Sequence, residues 1–151
     1  MRRLIVFALA AALAASGALA GLAFAASSPT KPATVKTRHV SLGTILVDGK
    51  SRTLYLFEKD KHGKSACYGA CAKVWAPYLT SGKPAAGQGL SSSKIGTTKR
   101  TGGATQVTYG GHPLYHYDDD KKPGQTEGEG SKEFGAEWYV VGANGKKIDN
   151  D

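Results

Sequence analysis

Two copies of one short pattern contain the side chains of this sequence that are best suited to binding chemistry. The pattern Leu-Tyr-x-aromatic-x-x-Asp occupies residues 54–60 and recurs at residues 114–120. Tyrosine presents a flat apolar face with a hydroxyl at its rim, a combination that suits sugars and peptides. We therefore predict a binding surface at two equivalent strand ends. Its candidate residues are Tyr55, Phe57 and Asp60 from the first copy, and Tyr115, Tyr117 and Asp120 from the second.

A structural role for the two aspartates is the alternative. Asp60 and Asp120 each follow a predicted strand and precede a lysine and then a glycine. A carboxylate at such a turn accepts hydrogen bonds from backbone N–H groups two or three residues further on. The pattern favours this role in the turn over ligand binding.

The spacing of the histidines argues against a metal site. His112 and His116 are four residues apart, which on a helix would place both on one face. The surrounding pattern predicts a strand instead, in which they would be about 13 Å apart. We therefore predict no metal and no cofactor. The alternative is a metal-handling or redox accessory protein that uses one of two groups: Cys67 and Cys71, or His112, His116 and Asp118–Asp120.

No recognised catalytic motif occurs in the chain. The sequence lacks a Gly-x-Ser-x-Gly elbow, a His-Glu-x-x-His zinc motif and a phosphate-binding loop. Cys67 and Cys71 do not have the Cys-x-x-Cys spacing of thioredoxins, and the βαβ pattern of that fold is missing. We therefore predict a non-enzymatic protein with no catalytic residue.

Apolar and aromatic runs around each copy predict β-hairpins. The first two are Leu42–Val47 with Thr53–Phe57, and Thr105–Tyr109 with Leu114–Tyr117. A third joins Trp138–Val141 to Lys147 and Ile148 through an Asn-Gly turn. Within each repeated strand the two aromatic residues share one face and the leucines take the other.

The sixty-residue offset between the copies indicates one structural unit used twice. We predict a mainly β fold: two antiparallel β repeats, about residues 40–80 and 104–148, packed with pseudo-twofold symmetry. A serine N-cap and several alanines add one short helix near residues 66–75. The stretches 81–104 and 118–136 are predicted to be long loops.

The N-terminal 25 residues are predicted to be a signal peptide. A basic start, an apolar segment and Ala23-Phe24-Ala25 are typical of one. The alternative is an uncleaved anchor, because the apolar segment could span a bilayer. No cysteine lies near the cleavage point to accept a lipid, so we expect no stable membrane anchor. Residues 26–39 are predicted to be a flexible spacer, and 40–151 a single β-rich domain.

Export sets the expectation for the two cysteines. Cys67 and Cys71 are the only ones in the sequence, and in an oxidising compartment we predict a disulfide between them. The loop that it would close is short, so it should contribute only about 2 kcal/mol.

The net charge bears on possible partners. It is +8 and falls to +6 when Arg2 and Arg3 are removed with the signal peptide. Such a charge attracts anionic envelope polymers, and sugars or peptides are further candidates. The alternative, which the sequence favours, is that the charge only keeps the protein soluble. The lysines are scattered and form no basic helix, so we expect no nucleic-acid partner.

Both copies resemble the Tyr-x-(Phe/Trp/Tyr)-x-x-Asp signature of a bacterial family of predicted lipoproteins, also described as a secreted repeat of unknown function. Residues 67–75 resemble the Cys-x-Gly-x-Cys-x-x-x-Trp stretch of its first repeat, and residues 112–115 and 137–141 resemble its second. The chain departs from the family at Ala76, where proline is common, and lacks the lipid-bearing cysteine.

The resemblance implies export and a repeat architecture, and it implies no activity or cofactor. We therefore expect an exported, small β-rich repeat protein of unknown molecular function. Its predicted location is secreted or extracytoplasmic, in the periplasm or cell envelope. We expect a non-enzymatic binding or structural role there.

Overall fold

The computed structural model of the protein describes residue 29 and residues 31–149. The predicted signal peptide lies outside the described residues. The described part is mainly β, as predicted, with strands in three sheets. The elements are β1 (Thr34–Val40), β2 (Gly43–Asp48), β3 (Tyr55–Phe57), α1 (Ala70–Val74), β4 (Trp75–Pro77), β5 (Ala85–Ala86), β6 (Ile95–Lys99), β7 (Thr105–Tyr109), β8 (His112–Pro113), β9 (Tyr115–Tyr117) and β10 (Trp138–Val140), with a 3-10 turn at Glu133–Gly135.

The central sheet pairs the two copies of the repeated pattern directly. Its strand order is β10-β3-β9-β4, and the inner strands β3 and β9 are antiparallel, with Tyr55 opposite Tyr115. Trp138 of β10 lies opposite Phe57, and Trp75 of β4 lies opposite Tyr117. Each tryptophan therefore pairs with the strand of the other repeat. Such an exchange is what two packed, equivalent units produce.

The predicted hairpin turns are confirmed, but the strands separate soon after them. After the turn at residues 49–51, Val47 bridges to Thr53 and the chain then leaves β2 to enter the central sheet as β3. The second repeat turns at Gly110 and Gly111, which have φ of 59° and 85°. Consecutive positive φ values are typical of a type I′ hairpin turn and favour glycine. The third hairpin bridges Val141 to Lys147, as predicted.

Strand β3 is covered on both faces, as the alternation of its residues predicts. Leu54 and Leu56 pack into one cluster with Val107, Leu114 and other buried residues. Tyr55 and Phe57 pack into the other cluster. The domain therefore has two apolar layers, one on each side of the central sheet.

A column of four stacked aromatic rings runs through the second cluster. The ring order is Phe57, Trp138, Trp75, Tyr117, with centroid separations of 3.9, 3.9 and 4.3 Å. Tyr55 meets Trp75 edge-on at 5.3 Å, and Tyr115 meets Trp138 in the same way at 5.1 Å. Aromatic contacts of this kind contribute about 0.5–1.5 kcal/mol each beyond the area that they bury. The two repeats are therefore joined through aromatic rings that alternate between them.

The helix is shorter than the sequence predicts. It occupies Ala70–Val74, because Gly69 has a φ of 57°, outside the helical region. Ser65 does not cap it; its Oγ accepts the N–H of Cys67 at 3.1 Å instead. Trp75 belongs to β4.

Two stretches predicted to lack regular structure contain strands. Within the predicted spacer 26–39, residues from Thr34 onward form β1, which pairs with β2 along six residue pairs. The predicted loop 81–104 contains β5 and β6. Both predictions are wrong at these positions, because β1 and β6 have few apolar residues and owe their conformation to pairing with β2 and β7. The loop 118–136 has only the 3-10 turn, as predicted.

The loop 118–136 packs against the aromatic column at Gly128, which predicts that a larger residue there destabilises the protein. A Cβ at Gly128 would lie 2.6 Å from Trp75 and 3.0 Å from Tyr117. We expect Gly128→Ala to lower the free energy of unfolding by about 1–3 kcal/mol through overpacking, measured by urea unfolding. Gly49→Ala is the matched control, since its nearest contact would be 4.0 Å away. Equal stability of the two variants would contradict close packing of the loop.

Candidate functional site

The tyrosines and aspartates of the repeated pattern form hydrogen-bonded pairs across the two repeats. The Tyr55 hydroxyl donates to Asp120 Oδ2 at 2.7 Å, and the Tyr115 hydroxyl donates to Asp60 Oδ2 at 2.8 Å. The contacts are reciprocal: each repeat supplies the tyrosine for one pair and the aspartate for the other. The two strand ends therefore lie close together, as a shared surface of the two copies requires.

Each aspartate also fixes the loop that follows it. Asp60 Oδ1 accepts the backbone N–H of Ala66 at 2.7 Å, and Asp120 Oδ1 accepts that of Glu127 at 2.9 Å. Backbone acceptance was predicted for residues two or three positions on, but the partners lie six and seven positions on. In each aspartate Oδ2 accepts the tyrosine hydroxyl of the other repeat, so only Oδ1 is directed at the following loop, where it accepts an N–H further along the chain.

Most of the predicted aromatic binding residues lie in the core. Tyr55 and Tyr115 are 0% exposed and Phe57 is 2% exposed, so their rings have no free face for a ligand in this structure. Tyr117, Asp60 and Asp120 are partly exposed. The expectation of a flat tyrosine surface therefore needs correction, because the tyrosine hydroxyls reach inward to carboxylates. Ligand binding by these residues stays a prediction.

Burial dominates the acid–base properties of these pairs. It raises the pKa of Asp60 to about 6, against the lowering effect of the Ala66 N–H and the Tyr115 hydroxyl. It also raises the pKa of Asp120. The pKa values of both tyrosines are raised as well, first by burial and then by the adjacent carboxylates. At neutral pH the tyrosines are therefore protonated and donate to the two aspartates.

A separate polar cluster forms around the buried Asp48. This carboxylate is 2% exposed. Its Oδ2 accepts the Arg52 Nε–H at 2.8 Å and lies 3.1 Å from His116 Nε2. Burial would raise the pKa of Asp48, but the hydrogen bonds from His116 and Arg52 together hold it well below its usual range. Burial lowers the pKa of His116. A neutral imidazole therefore donates its Nε2–H to an ionised carboxylate at pH 7.

Two clefts meet at Arg52. The smaller, of about 180 Å³, is lined by Arg52, Thr53, Ala76, His116, Tyr117, Asp118 and Asp120. The larger, of about 540 Å³, is lined among others by Lys31, Lys50, Arg52 and Tyr78. We call the larger one the basic groove. The Arg52 side chain is 49% exposed and pairs with Asp48 at 2.7 Å. Since Asp48 is already neutralised by this pairing, the exposed charge that lines the basic groove is positive.

Sequence reasoning identified part of the smaller cleft and missed the basic groove. Tyr117 and Asp120, which line the smaller cleft, were predicted as site residues, and His116 was considered only as a metal ligand. Arg52 and Lys50 belong to no motif. The sequence contains one local signal for this cluster: Asp48, a glycine turn and then Arg52 four residues later. His116 has no such signal, because it is 68 residues from Asp48.

The cysteines and histidines do not combine into one site. Cys67 and Cys71 form the predicted disulfide, and both are buried beside Trp75 in the second apolar cluster. His116 pairs with Asp48 instead of with His112. Within residues 29 and 31–149 no group of three or more His, Cys, Asp or Glu side chains is placed to hold a metal ion.

Comparison with known proteins bears on the repeats. The profile of a family described as a secreted repeat of unknown function matches residues 36–78 and 96–142. Each matched segment contains one copy of the Tyr–Asp pattern with its preceding hairpin. Searches of curated proteins and of solved structures found no match. In the described part of the chain no helix is long and apolar enough to cross a bilayer.

The exchanged pairs generate a stability prediction. Tyr55→Phe and Tyr115→Phe should each lower the free energy of unfolding by about 1–3 kcal/mol, because each leaves a half-buried carboxylate oxygen without its donor. Tyr139→Phe is the control, since that hydroxyl donates to the partly exposed Glu137. Urea unfolding of the three variants is the measurement. A control that loses as much stability as the two test variants would argue against an important role for the exchanged pairs.

The raised pKa of Asp60 generates a pH prediction. Between the usual value of 3.8 and about 6, the folded state binds more protons than the unfolded state. The contribution of Asp60 to stability is therefore fully present below about 3.8 and is lost as pH rises through about 6. The stability of the wild type relative to Asp60→Asn should rise as pH falls from 7 to 4. The slope cannot exceed about 1.4 kcal/mol per pH unit, and solvent screening reduces it.

Urea unfolding of both proteins at several pH values measures this difference. Titration of the histidines affects both proteins alike and cancels in the comparison. A difference that stays constant, or that falls with decreasing pH, would contradict the raised pKa.

Proposed function

We propose that this chain, which belongs to a family of secreted repeats of unknown function, is a non-enzymatic envelope or extracellular protein that binds anionic polymers through the basic groove. The groups recognised are phosphates or carboxylates spaced along an extended chain. The observation that carries the proposal is Arg52: a half-exposed guanidinium held in a fixed position at the junction of two clefts.

The buried Asp48 explains why Arg52 is suited to this role. Asp48 accepts both the backbone N–H and the Nε–H of Arg52, at 2.9 and 2.8 Å. It also accepts the backbone N–H of Lys50 at 2.8 Å, so one carboxylate fixes the turn that carries both cations. A guanidinium oriented in this way loses less side-chain entropy when it binds an anion. Its remaining N–H donors match the geometry of phosphate and carboxylate oxygens.

The three cations that line the basic groove suit a ligand with several negative charges, such as an anionic polymer. The groove holds about 540 Å³ and shares Arg52 with the smaller cleft, whose lining also includes Asp118 and Asp120. Lys31, Lys50 and Arg52 line the groove, and Tyr78 adds an aromatic ring to its wall. An extended chain that lies in the groove can place its charges near the three cations, whereas its apolar parts contact Tyr78.

The polar groups at Arg52 favour binding over catalysis. His116, the residue best suited to proton transfer, lies against Asp48 and directs its Nε2–H into that carboxylate. Asp48 in turn accepts four hydrogen bonds in this cluster. These groups are engaged in holding Arg52 and the turn. They support a preformed recognition site for negative charge.

Charge reversal in the basic groove tests the proposal. We expect Lys50→Glu to weaken binding of an anionic polymer at least tenfold, about 1.4 kcal/mol, at low salt. The effect should shrink as ionic strength rises, because exposed charges are screened. Isothermal titration calorimetry of the exported protein with polyphosphate and with polygalacturonate is the measurement. The two polymers separate a preference for phosphate from one for carboxylate.

Lys64→Glu is the matched control, since Lys64 is an exposed lysine outside the lining of the groove. It changes the net charge by the same amount and should leave binding nearly unchanged. Equal losses in the two variants would mean that only the net charge attracts the polymer. Failure of the wild type to bind either polymer would overturn the proposal.

A further inference from the structure

The two repeats differ at the outer edge of their flanking sheets. In the first repeat, the hairpin β1–β2 gains a third strand on the outside of β1: β5 pairs with it in parallel. The Ala85 N–H donates to the Ala33 carbonyl at 2.9 Å, and the Gly87 N–H donates to that of Val35 at 2.8 Å. The second repeat has the corresponding hairpin β6–β7, but its sheet order is β6-β7-β8. Within the described residues, no strand pairs with the outside of β6.

The outer edge of β6 presents free backbone hydrogen-bonding groups. The Gly110 N–H donates to the Lys94 carbonyl and the Arg100 N–H donates to the Ala104 carbonyl, both at 2.9 Å. Backbone groups alternate in direction along an antiparallel strand, so the even-numbered residues between them face β7. Ile95, Thr97 and Lys99 therefore direct their N–H and C=O groups outward. Three residues at this spacing can pair with one additional strand.

A groove next to this edge provides room and charge for such a strand. It measures about 480 Å³ and is lined by Gly82, Lys83, Pro84, Ile95, Gly96, Thr97, Lys99 and Thr105. Lys83 and Lys99 are both exposed, and none of the residues that line the groove is acidic. A partner strand with carboxylates would complement the two lysines. A second copy of this chain would instead bring more positive charge to the same edge.

We propose that the outer edge of β6 binds an acidic peptide segment of another protein, in extended conformation, as an added β-strand. Main-chain hydrogen bonds to Ile95, Thr97 and Lys99 supply affinity, and the two lysines select negative charge. In the first repeat the start of the corresponding edge, at Thr34 and Val35 of β1, is paired with β5. This site is separate from the basic groove at Arg52 and does not depend on the proposed polymer binding.

The test uses a capped heptapeptide that alternates valine and glutamate, titrated into the exported protein by calorimetry and NMR. We expect binding with shifts in the β6 amide signals. Two control peptides should leave the β6 amide signals unshifted: one that alternates valine and lysine, and the acidic peptide with alternate backbone amides methylated. The first removes the charge match, and the second removes the donors that an added strand needs.

Variants of the protein locate the site. Thr97→Pro removes an outward N–H but leaves the bonds of β6 to β7 in place, a position that an edge strand tolerates; it should abolish the peptide-induced shifts of the β6 amide signals. Lys83→Glu changes an exposed side chain and should raise the peptide concentration needed for these shifts at least tenfold without affecting the fold. Lys50→Glu, in the basic groove, should show the same β6 shifts as the wild type, whatever carboxylate binding it loses at Arg52. Thermal unfolding checks that each variant is folded.

Three results would overturn the proposal. The first is an absence of β6 amide shifts with the acidic peptide at millimolar concentration, whether or not the peptide binds elsewhere, which would mean that the lysines only protect the edge from aggregation. The second is unchanged binding by both Thr97→Pro and Lys83→Glu. The third is self-association in sedimentation experiments that Thr97→Pro removes, which would make a second copy of the chain the occupant.

Discussion

The exchange of hydrogen bonds between the two repeats is the constraint on which the rest of the fold depends. A tyrosine hydroxyl or a carboxylate that is removed from water without a partner costs about 1–3 kcal/mol or more. Neither repeat can satisfy its own pair, since Tyr55 bonds to Asp120 and Tyr115 to Asp60. The tryptophans obey the same rule, because each pairs with the strand of the other repeat. One repeat alone would expose half of an aromatic column and leave its polar groups unpaired.

This shared centre also determines where binding can occur. The equivalent residues Tyr55 and Tyr115 are buried where the repeats meet, and the two repeats differ at positions nearer the surface. Leu56 is buried in the first apolar cluster, whereas His116, sixty residues later, lines a cleft and holds Asp48. In the same way, β1 has the start of its outer edge, at Thr34 and Val35, paired with β5, whereas no strand of the described residues pairs with the outer edge of β6. At these positions the second copy therefore has a polar side chain and an unpaired strand edge where the first has an apolar side chain and a partly paired one.

The sequence predicted the elements that carry local signals and missed those that depend on distant partners. The repeated pattern, the glycine turns and the alternation of leucines and aromatics correctly predicted a mainly β fold with two-sided strands. By contrast, β1 and β6 have few apolar residues, and their pairing with β2 and β7 is what makes them strands. The burial of the Tyr55 and Tyr115 rings was not predicted for a related reason. A tyrosine with an apolar ring and a polar rim suits a ligand or a buried carboxylate equally well, and spacing within one strand does not distinguish the two.

The loop 118–136 connects the shared centre to the candidate site. Glu133 accepts both indole N–H groups of the column: its Oε2 receives that of Trp75 and its carbonyl receives that of Trp138, each at 3.0 Å. The next residue, Phe134, has a φ of 61°, an unfavourable region for a non-glycine residue, and these two bonds offset that cost. With the loop fixed in this way, Gly128 lies against Trp75 and Tyr117. Tyr117 stacks on Trp75 and forms a wall of the cleft beside Arg52. The position of that wall therefore depends on the aromatic column. Through the ring of Tyr117, the packing between the repeats also determines the shape of the cleft beside Arg52.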